Sequence, residues 1–214
     1  MLGKTLAWLV MTFLALAVAC YAAALLAIPD FRPSLVRTLI AERPVAAIAH
    51  FAGSGLALAI GMFQLNTWLR SRIPGMHRWL GRLYVMSIAV GSISGFVLAL
   101  ESSGGFVAQA GFALMAVCWA ACTFAAYRHI RAGHLVAHRK WMIRSFAITF
   151  AAVTLRLYLP VSQIIGVPFP VAYSAIAWLC WIPNLLVAEW YLRATSGVLP
   201  GTGRRGIAAR GSVA

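Results

Sequence analysis

Acidic residues are almost missing from this chain: Asp30, Glu42, Glu101 and Glu189 are the only four in 214 residues. Charge of either sign is scarce, at 10% of residues, where a soluble globular chain carries about 25%. The signatures of familiar soluble enzymes are missing too. There is no Walker loop, no nucleophile elbow, no HExxH and no CxxC, so those phosphate, serine-hydrolase, zinc and dithiol chemistries are excluded. Cysteine is sparse: Cys20, Cys118, Cys122 and Cys180 all lie in apolar stretches without metal-type spacing. Cys118 and Cys122 share a helix face at i, i+4, but buried cysteine behaves as a small hydrophobe. No polar run is long enough to fold as a second domain, which leaves one.

What is abundant is hydrocarbon. Hydrophobic residues make up 62% of the chain, with a mean hydropathy of +0.86, against roughly 45–50% apolar residues in soluble domains. A soluble protein of this size must keep most of its surface wet, so the excess belongs in a bilayer. The net charge of +14 comes from 18 Lys and Arg against those four acids. In a soluble chain it would point to nucleic acid. Here the cations cluster between apolar runs, so the expected partners are the lipid bilayer and anionic inner-leaflet lipids, with no nucleic acid.

Six apolar runs cover residues 5–28, 45–69, 80–100, 106–127, 141–165 and 171–192. Each has about the 20 residues a helix needs to cross hydrocarbon, and the ten-residue alternation of barrel strands is absent. The expected fold is an all-α integral membrane bundle of about six transmembrane helices, with helices 2–5 as the core. Residues 1–195 form a single polytopic domain, and 196–214 a basic Gly/Arg-rich cytoplasmic tail expected to be disordered. The first run outlasts the roughly 7–15-residue core of a signal peptide, which favours a retained span.

Lys and Arg divide unevenly between the two sides. Fourteen lie at the two ends or in the second-to-third and fourth-to-fifth connections, and three (Arg32, Arg37, Arg43) lie on the other side. The positive-inside rule places both termini in the cytoplasm. The segment 29–44 interleaves charges with Leu35, Val36, Leu39 and Ile40, which predicts a short helix on the outer surface. Gly53, Gly55, Gly61 and the pair Gly91, Gly95 predict close helix packing within the molecule. A string around His77 is echoed around His138, which suggests parallel repeats of the third-fourth and fifth-sixth helix pairs.

Polar groups inside a span call for an explanation. Arg156 lies deep in the outer half of the fifth run, suited to an anion such as a substrate carboxylate, a haem propionate or a quinone oxygen. A snorkelling arginine, or one paired with Glu101, is the alternative. His50 lies at a comparable depth in the second run and can move a proton, ligate a metal or join two helices. His77 and His138 open the third and fifth helices, where two imidazoles could bind one haem iron, with Arg78, Arg82, Arg139 and Arg144 as supporting counter-charges to its propionates. A His-Arg pair at a helix entrance is equally an interfacial anchor. No other metal site is expected. Glu189 is expected to pair with an arginine, Gln64, Asn66, Gln163 and Asn184 to stitch helices together, and Pro183 to kink the last one.

The stretches His50…Gly61-Met62-Phe63-Gln64, Pro74 to Tyr84 and Ala137 to Leu157 resemble the bacterial predicted membrane proteins grouped as domain of unknown function 2306. That resemblance covers the second through fifth helices, implies a polytopic protein of a bacterial inner (plasma) membrane, implies no established activity, and singles out His50, His77, His138, Arg144 and Arg156. A weaker similarity, through Met76-His77-Arg78-Trp79-Leu80-Gly81, is to the cytochrome b561 group. That group carries two histidine pairs, whereas the fourth helix here has no histidine within its span, so at most one bis-histidine haem is implied.

Three functions stand open at this point. The first is an electron-transfer protein with haem b or quinone as cofactor, and the second a small anion or proton-coupled transporter. The third is a non-catalytic scaffold or assembly factor. The runs read as continuous helices without mid-span carboxylates, which speaks against the transporter. Whether the protein is an enzyme is open.

Overall fold

The computed structural model describes residues 2–196. In hydrocarbon every backbone N–H and C=O must be satisfied within the chain, and a helix does so segment by segment. The described residues are accordingly helical, without strands: α1 (Leu2–Ala27), α2 (Ser34–Glu42), α3 (Pro44–Gln64), α4 (Thr67–Arg72), α5 (Pro74–Ala99), α6 (Gly105–Arg131), α7 (Leu135–Thr149), α8 (Ala151–Ile164), α9 (Phe169–Leu179) and α10 (Ile182–Ser196). Six stretches are long and apolar enough to cross a membrane: Thr5–Ala27, Pro44–Gln64, Pro74–Ala99, Gly105–Arg131, Leu135–Ile164 and Phe169–Thr195. The tail expected beyond residue 196 lies outside the described residues.

Helix bounds differ from the apolar runs for local reasons. The second span stops at Gln64 rather than at Leu69, because the Asn66 side chain accepts from the Trp68 and Leu69 N–H groups at 2.9 and 3.2 Å and starts α4. Asn66 is therefore a helix cap, not an interhelical stitch. The third span begins six residues before its apolar run, at Pro74, where a missing N–H costs nothing.

α3, α5, α6 and α7 form the central bundle, with α3 against α5 the most extensive contact. Outside it, α1 packs on α3, α9 on α6, and α10 on α7. The expected surface helix is present as α2, whose Val36, Leu39 and Ile40 close over Leu25, Ala47 and Phe51. One end of the bundle thus carries α2 and the α5–α6 turn (the α2 end), and the other carries α4 and the α6–α7 turn (the basic end). The α3–α5 contact is built on glycine. A Cβ on Gly53 would fall 2.8 Å from the Ser87 carbonyl oxygen and 2.9 Å from the Gly91 nitrogen, so the two backbones touch.

The last two spans are not continuous, contrary to the reading of their sequence. The fifth is interrupted at Phe150, whose carbonyl accepts from Val153 N–H at 2.9 Å and Thr154 N–H at 3.2 Å, a tightened turn. The sixth divides at Cys180–Trp181, between α9 and α10. Pro183 has no N–H for the Leu179 carbonyl, so the helix cannot run through. Side chains repair the break: Trp181 Nε1 donates to the Ala177 carbonyl and Asn184 Nδ2 to that of Cys180, both at 3.0 Å. Asn184 Nδ2 also donates to Thr154 Oγ1 at 2.9 Å, which ties α10 to α8 as expected. Gln163 is exposed, and Gln64 Nε2 is buried without a partner.

Two carboxylates are gripped by arginines. Arg144 donates from Nε and Nη2 to both oxygens of Glu189, joining α7 to α10, and its guanidinium lies 4.7 Å over the Trp141 ring. Arg43 does the same to Glu101 across the α2 end. That guanidinium, chiefly by hydrogen bonding, holds the Glu101 carboxyl below the usual carboxylate range. A depressed folded-state pKa contributes stability above the ordinary value of about 4.3 and loses it as pH falls through the folded value. The thermal midpoint of Glu101→Gln is therefore expected slightly below wild type at about pH 7, with the two converging below about pH 4. Both partners are exposed, so the difference is small.

Candidate functional site

A cavity of about 280 Å³ opens near the α2 end, between the central bundle, α1, α8 and α9. Leu35, Val36 and Leu39 of α2 roof it, and Leu25, Phe51, Phe112 and Leu155 make its walls apolar. Into this hydrocarbon lining come the two residues that the sequence placed at one depth, His50 and Arg156.

His50 is seated by glycine. Its Nδ1–H donates to the Gly91 carbonyl at 2.9 Å, and a Cβ on Gly95 would lie 2.8 Å from that nitrogen. The α3–α5 glycine contact therefore does two things at once: it brings the backbones together and leaves a notch for the imidazole. With its proton on Nδ1, the ring keeps Nε2 as an acceptor.

Arg156 follows the Phe150 interruption by less than two turns of α8. Its Nη1 donates to the Ala152 carbonyl at 3.0 Å, and its guanidinium lies 5.6 Å from the Tyr21 ring centroid. Its Nε is buried with no acceptor. It is not paired with Glu101, which Arg43 holds, or with Glu189, which Arg144 holds. Asp30 and Glu42 are exposed and form no ion pair among the described residues. The cation is therefore held only by a carbonyl and an aromatic face.

The floor of the cavity is a hydroxyl cluster at mid-bundle. Trp119 Nε1 donates to Thr149 Oγ1 at 2.8 Å, and the Tyr84 hydroxyl bonds Thr149 Oγ1 at 3.0 Å and Ser145 Oγ at 3.2 Å. Ser145 Oγ meets Thr123 Oγ1 at 2.8 Å. Thr149 and Thr123 donate to backbone carbonyls of their own helices, Ser145 and Trp119. Their protons are thus committed, and the cluster joins α5, α6 and α7 as a closed septum. Trp119 and Thr149 line the cavity from this floor.

Beyond the septum, toward the basic end, His77 and His138 lie in the first turns of α5 and α7. His138 holds its Nδ1–H on the Ala126 carbonyl at 2.9 Å, whereas His77 Nδ1 is buried without a partner. Neither lines the cavity. Of the four supporting arginines, Arg78, Arg82 and Arg139 are exposed, and the charge of Arg144 is already neutralised by Glu189. The cavity thus brings His50 together with Arg156, and the septum separates both from His77 and His138.

Several residues of the site carry no motif of their own. Tyr21, the one aromatic in the second half of the first run, lies at Arg156, and Tyr173 lines the cavity from α9. Their signal was only that each is a polar-tipped ring inside an apolar run. Thr149 and Ser145 fall in the block that resembles the family but read there as ordinary span residues.

No curated protein and no solved structure matches the chain. A family model described as "Predicted membrane protein (DUF2306)" matches residues 47–192. It takes in the last span as well as the second to fifth, and with them the septum, both histidine layers and the cavity walls other than Tyr21, Leu25 and the α2 roof. The chain therefore belongs to the DUF2306 family of predicted membrane proteins.

Proposed function

We propose that this protein binds a small amphipathic anion in the cavity between α1, α3, α5 and α8, as the loading site of a carrier in a bacterial inner membrane. The observation that carries this reading is Arg156, a cation buried at Nε in an apolar cavity without a carboxylate partner among the described residues. Burying an unpaired charge is costly, and a bound anion removes that cost. The interrupted fifth and sixth spans support the carrier reading, since discontinuous helices are where such proteins form their sites. The basic loops, read by the positive-inside rule, turn the cavity outward, with the septum between it and the cytoplasm. The exposed cations of those loops face anionic inner-leaflet lipids.

The volume sets the size of the occupant. At about 30 Å³ for each water-sized group, 280 Å³ holds on the order of ten heavy atoms. Suitable probes therefore share an octyl chain and differ in their head: octanoate, octanesulfonate, octanol and octylamine. The two anions are expected to raise the thermal midpoint of detergent-purified protein, by several degrees once each exceeds its Kd about 100-fold. Octanol and octylamine are expected to leave it unchanged, and Arg156→Gln to abolish the response to both anions. Equal shifts from all four probes would sink the reading.

A second reading has its own observation. His138 is anchored through Nδ1–H with Nε2 unengaged, the arrangement of an iron-ligating imidazole, and His77, at the same end of the bundle, has a buried unpartnered nitrogen. On that reading the pair holds haem b, and the protein passes electrons. It predicts a Soret band from protein purified from haem-replete cells, lost in His138→Ala. A colourless preparation overturns it.

A further inference from the structure

The geometry points to a carboxylate, rather than an anion of another shape or a quinone, as the head that Arg156 receives. The inference rests on the anion-binding reading above and narrows it to a class of ligand, an apolar monocarboxylate.

The argument comes from the edge of the guanidinium that is left open. A guanidinium is a planar fork, and its Nε–H and Nη2–H point the same way, spaced to meet both oxygens of one carboxylate. This protein sets that edge on a carboxylate twice. Arg43 places Nε and Nη2 on the two oxygens of Glu101, and Arg144 places Nε and Nη2 on the two oxygens of Glu189. Arg32 turns the same edge onto the Leu25 and Leu26 carbonyls, and at Arg156 the pattern is inverted. Its bond to the chain comes from Nη1, on the far side, to the Ala152 carbonyl. That bond and the Tyr21 ring hold the fork in place while leaving the Nε/Nη2 edge without an acceptor. The side that grips a carboxylate in the other two arginines is the side left vacant here.

The other cavity groups agree with one negative head in one place. His50, with its proton on the Gly91 carbonyl, presents Nε2 as an acceptor and gives a carboxylate nothing to bind. Thr149 donates its proton to the Ser145 carbonyl, so it too has none for a ligand. Ser54 spends its proton on the His50 carbonyl, and the buried, unpartnered Ser102 hydroxyl is a further donor for the head. Most of the remaining lining is hydrocarbon and aromatic, suited to the rest of the molecule. A quinone oxygen could accept from the fork but would bring no charge to neutralise it, and a sulfonate would spread its charge over three oxygens out of the fork's plane.

The test is a competition among octyl compounds on the full-length protein, read by calorimetric titration in detergent. Octanoate is expected to bind about tenfold or more tightly than octanesulfonate, the worth of one well-aligned charge-assisted hydrogen bond. A short-chain benzoquinone is expected not to compete with it. Arg156→Lys keeps a point charge and loses the fork, so it is expected to bind both anions weakly and without preference. Equal affinity of wild type for octanoate and octanesulfonate overturns the carboxylate assignment and leaves anion binding standing. Binding of the quinone in preference to either anion overturns both, as does binding of no anion. The comparison on wild type needs no variant, so a misfolded Arg156→Lys does not blunt it.

Discussion

Gly53→Ala is expected to lower the thermal midpoint of the purified protein by roughly 3–10 °C, equivalent to about 1–3 kcal/mol. The new Cβ would meet the Ser87 carbonyl oxygen at 2.8 Å and the Gly91 nitrogen at 2.9 Å, and both are backbone atoms that no rotamer change can move aside. The helices must separate, and in a membrane the loss is one of close packing, since lipid tails fill the gap without a hydrophobic gain. Alanine is otherwise the better helix former by roughly 0.5–1 kcal/mol, so the sign of the effect isolates the contact. Gly75→Ala is the control: nothing lies within 4 Å of its Cβ, and it is expected to be neutral or slightly stabilising. The displacement also loosens the Gly91 carbonyl from His50. An unchanged midpoint would show that α3 and α5 do not cross here.

The second large effect is expected at the septum. Thr149→Val keeps the shape of the side chain and removes the oxygen that accepts from Trp119 Nε1 and bonds the Tyr84 hydroxyl. Each buried donor left without an acceptor costs about 1–3 kcal/mol, so the variant should lose roughly 2–4 kcal/mol, less whatever Tyr84 recovers through Ser145. Tyr84→Phe removes one donor and keeps the Trp119 bond, and should cost less than Thr149→Val. If Tyr84→Phe proves the more damaging, the cluster is centred on the tyrosine and not on Thr149. Both measurements are thermal midpoints in one detergent.

Much of this could be read from the sequence. Helices follow from hydrocarbon itself: a run such as residues 106–127 has no solvent for its amides in a bilayer, and only a helix satisfies them locally. Small residues at Gly53, Gly91 and Gly95 announced close packing, and that packing is intramolecular. The α2 helix was legible in the alternation of Leu35, Val36, Leu39 and Ile40. His50 and Arg156 could be put at one level by counting residues along their helices, because the rise per residue is constant.

Counting along helices cannot say which side chains meet. That Glu101 takes Arg43 and leaves Arg156, or that Glu189 takes Arg144, depends on which helices are neighbours and how each is rotated. The two interruptions illustrate the same limit. Pro183 signalled a kink, but the division at Cys180–Trp181 holds because Trp181 and Asn184 reach back to the Ala177 and Cys180 carbonyls. Phe150 gave no signal at all. Composition and hydrophobic run length alone therefore determined the class of protein, the six spans and the depth of its polar residues, because transfer from water to hydrocarbon is additive and needs no knowledge of neighbours. The cavity, its closed floor and the open edge of Arg156 were decided only by the tertiary structure. A hydrogen bond requires a partner at the right distance and angle, and residues far apart in the chain acquire one only when the helices have packed.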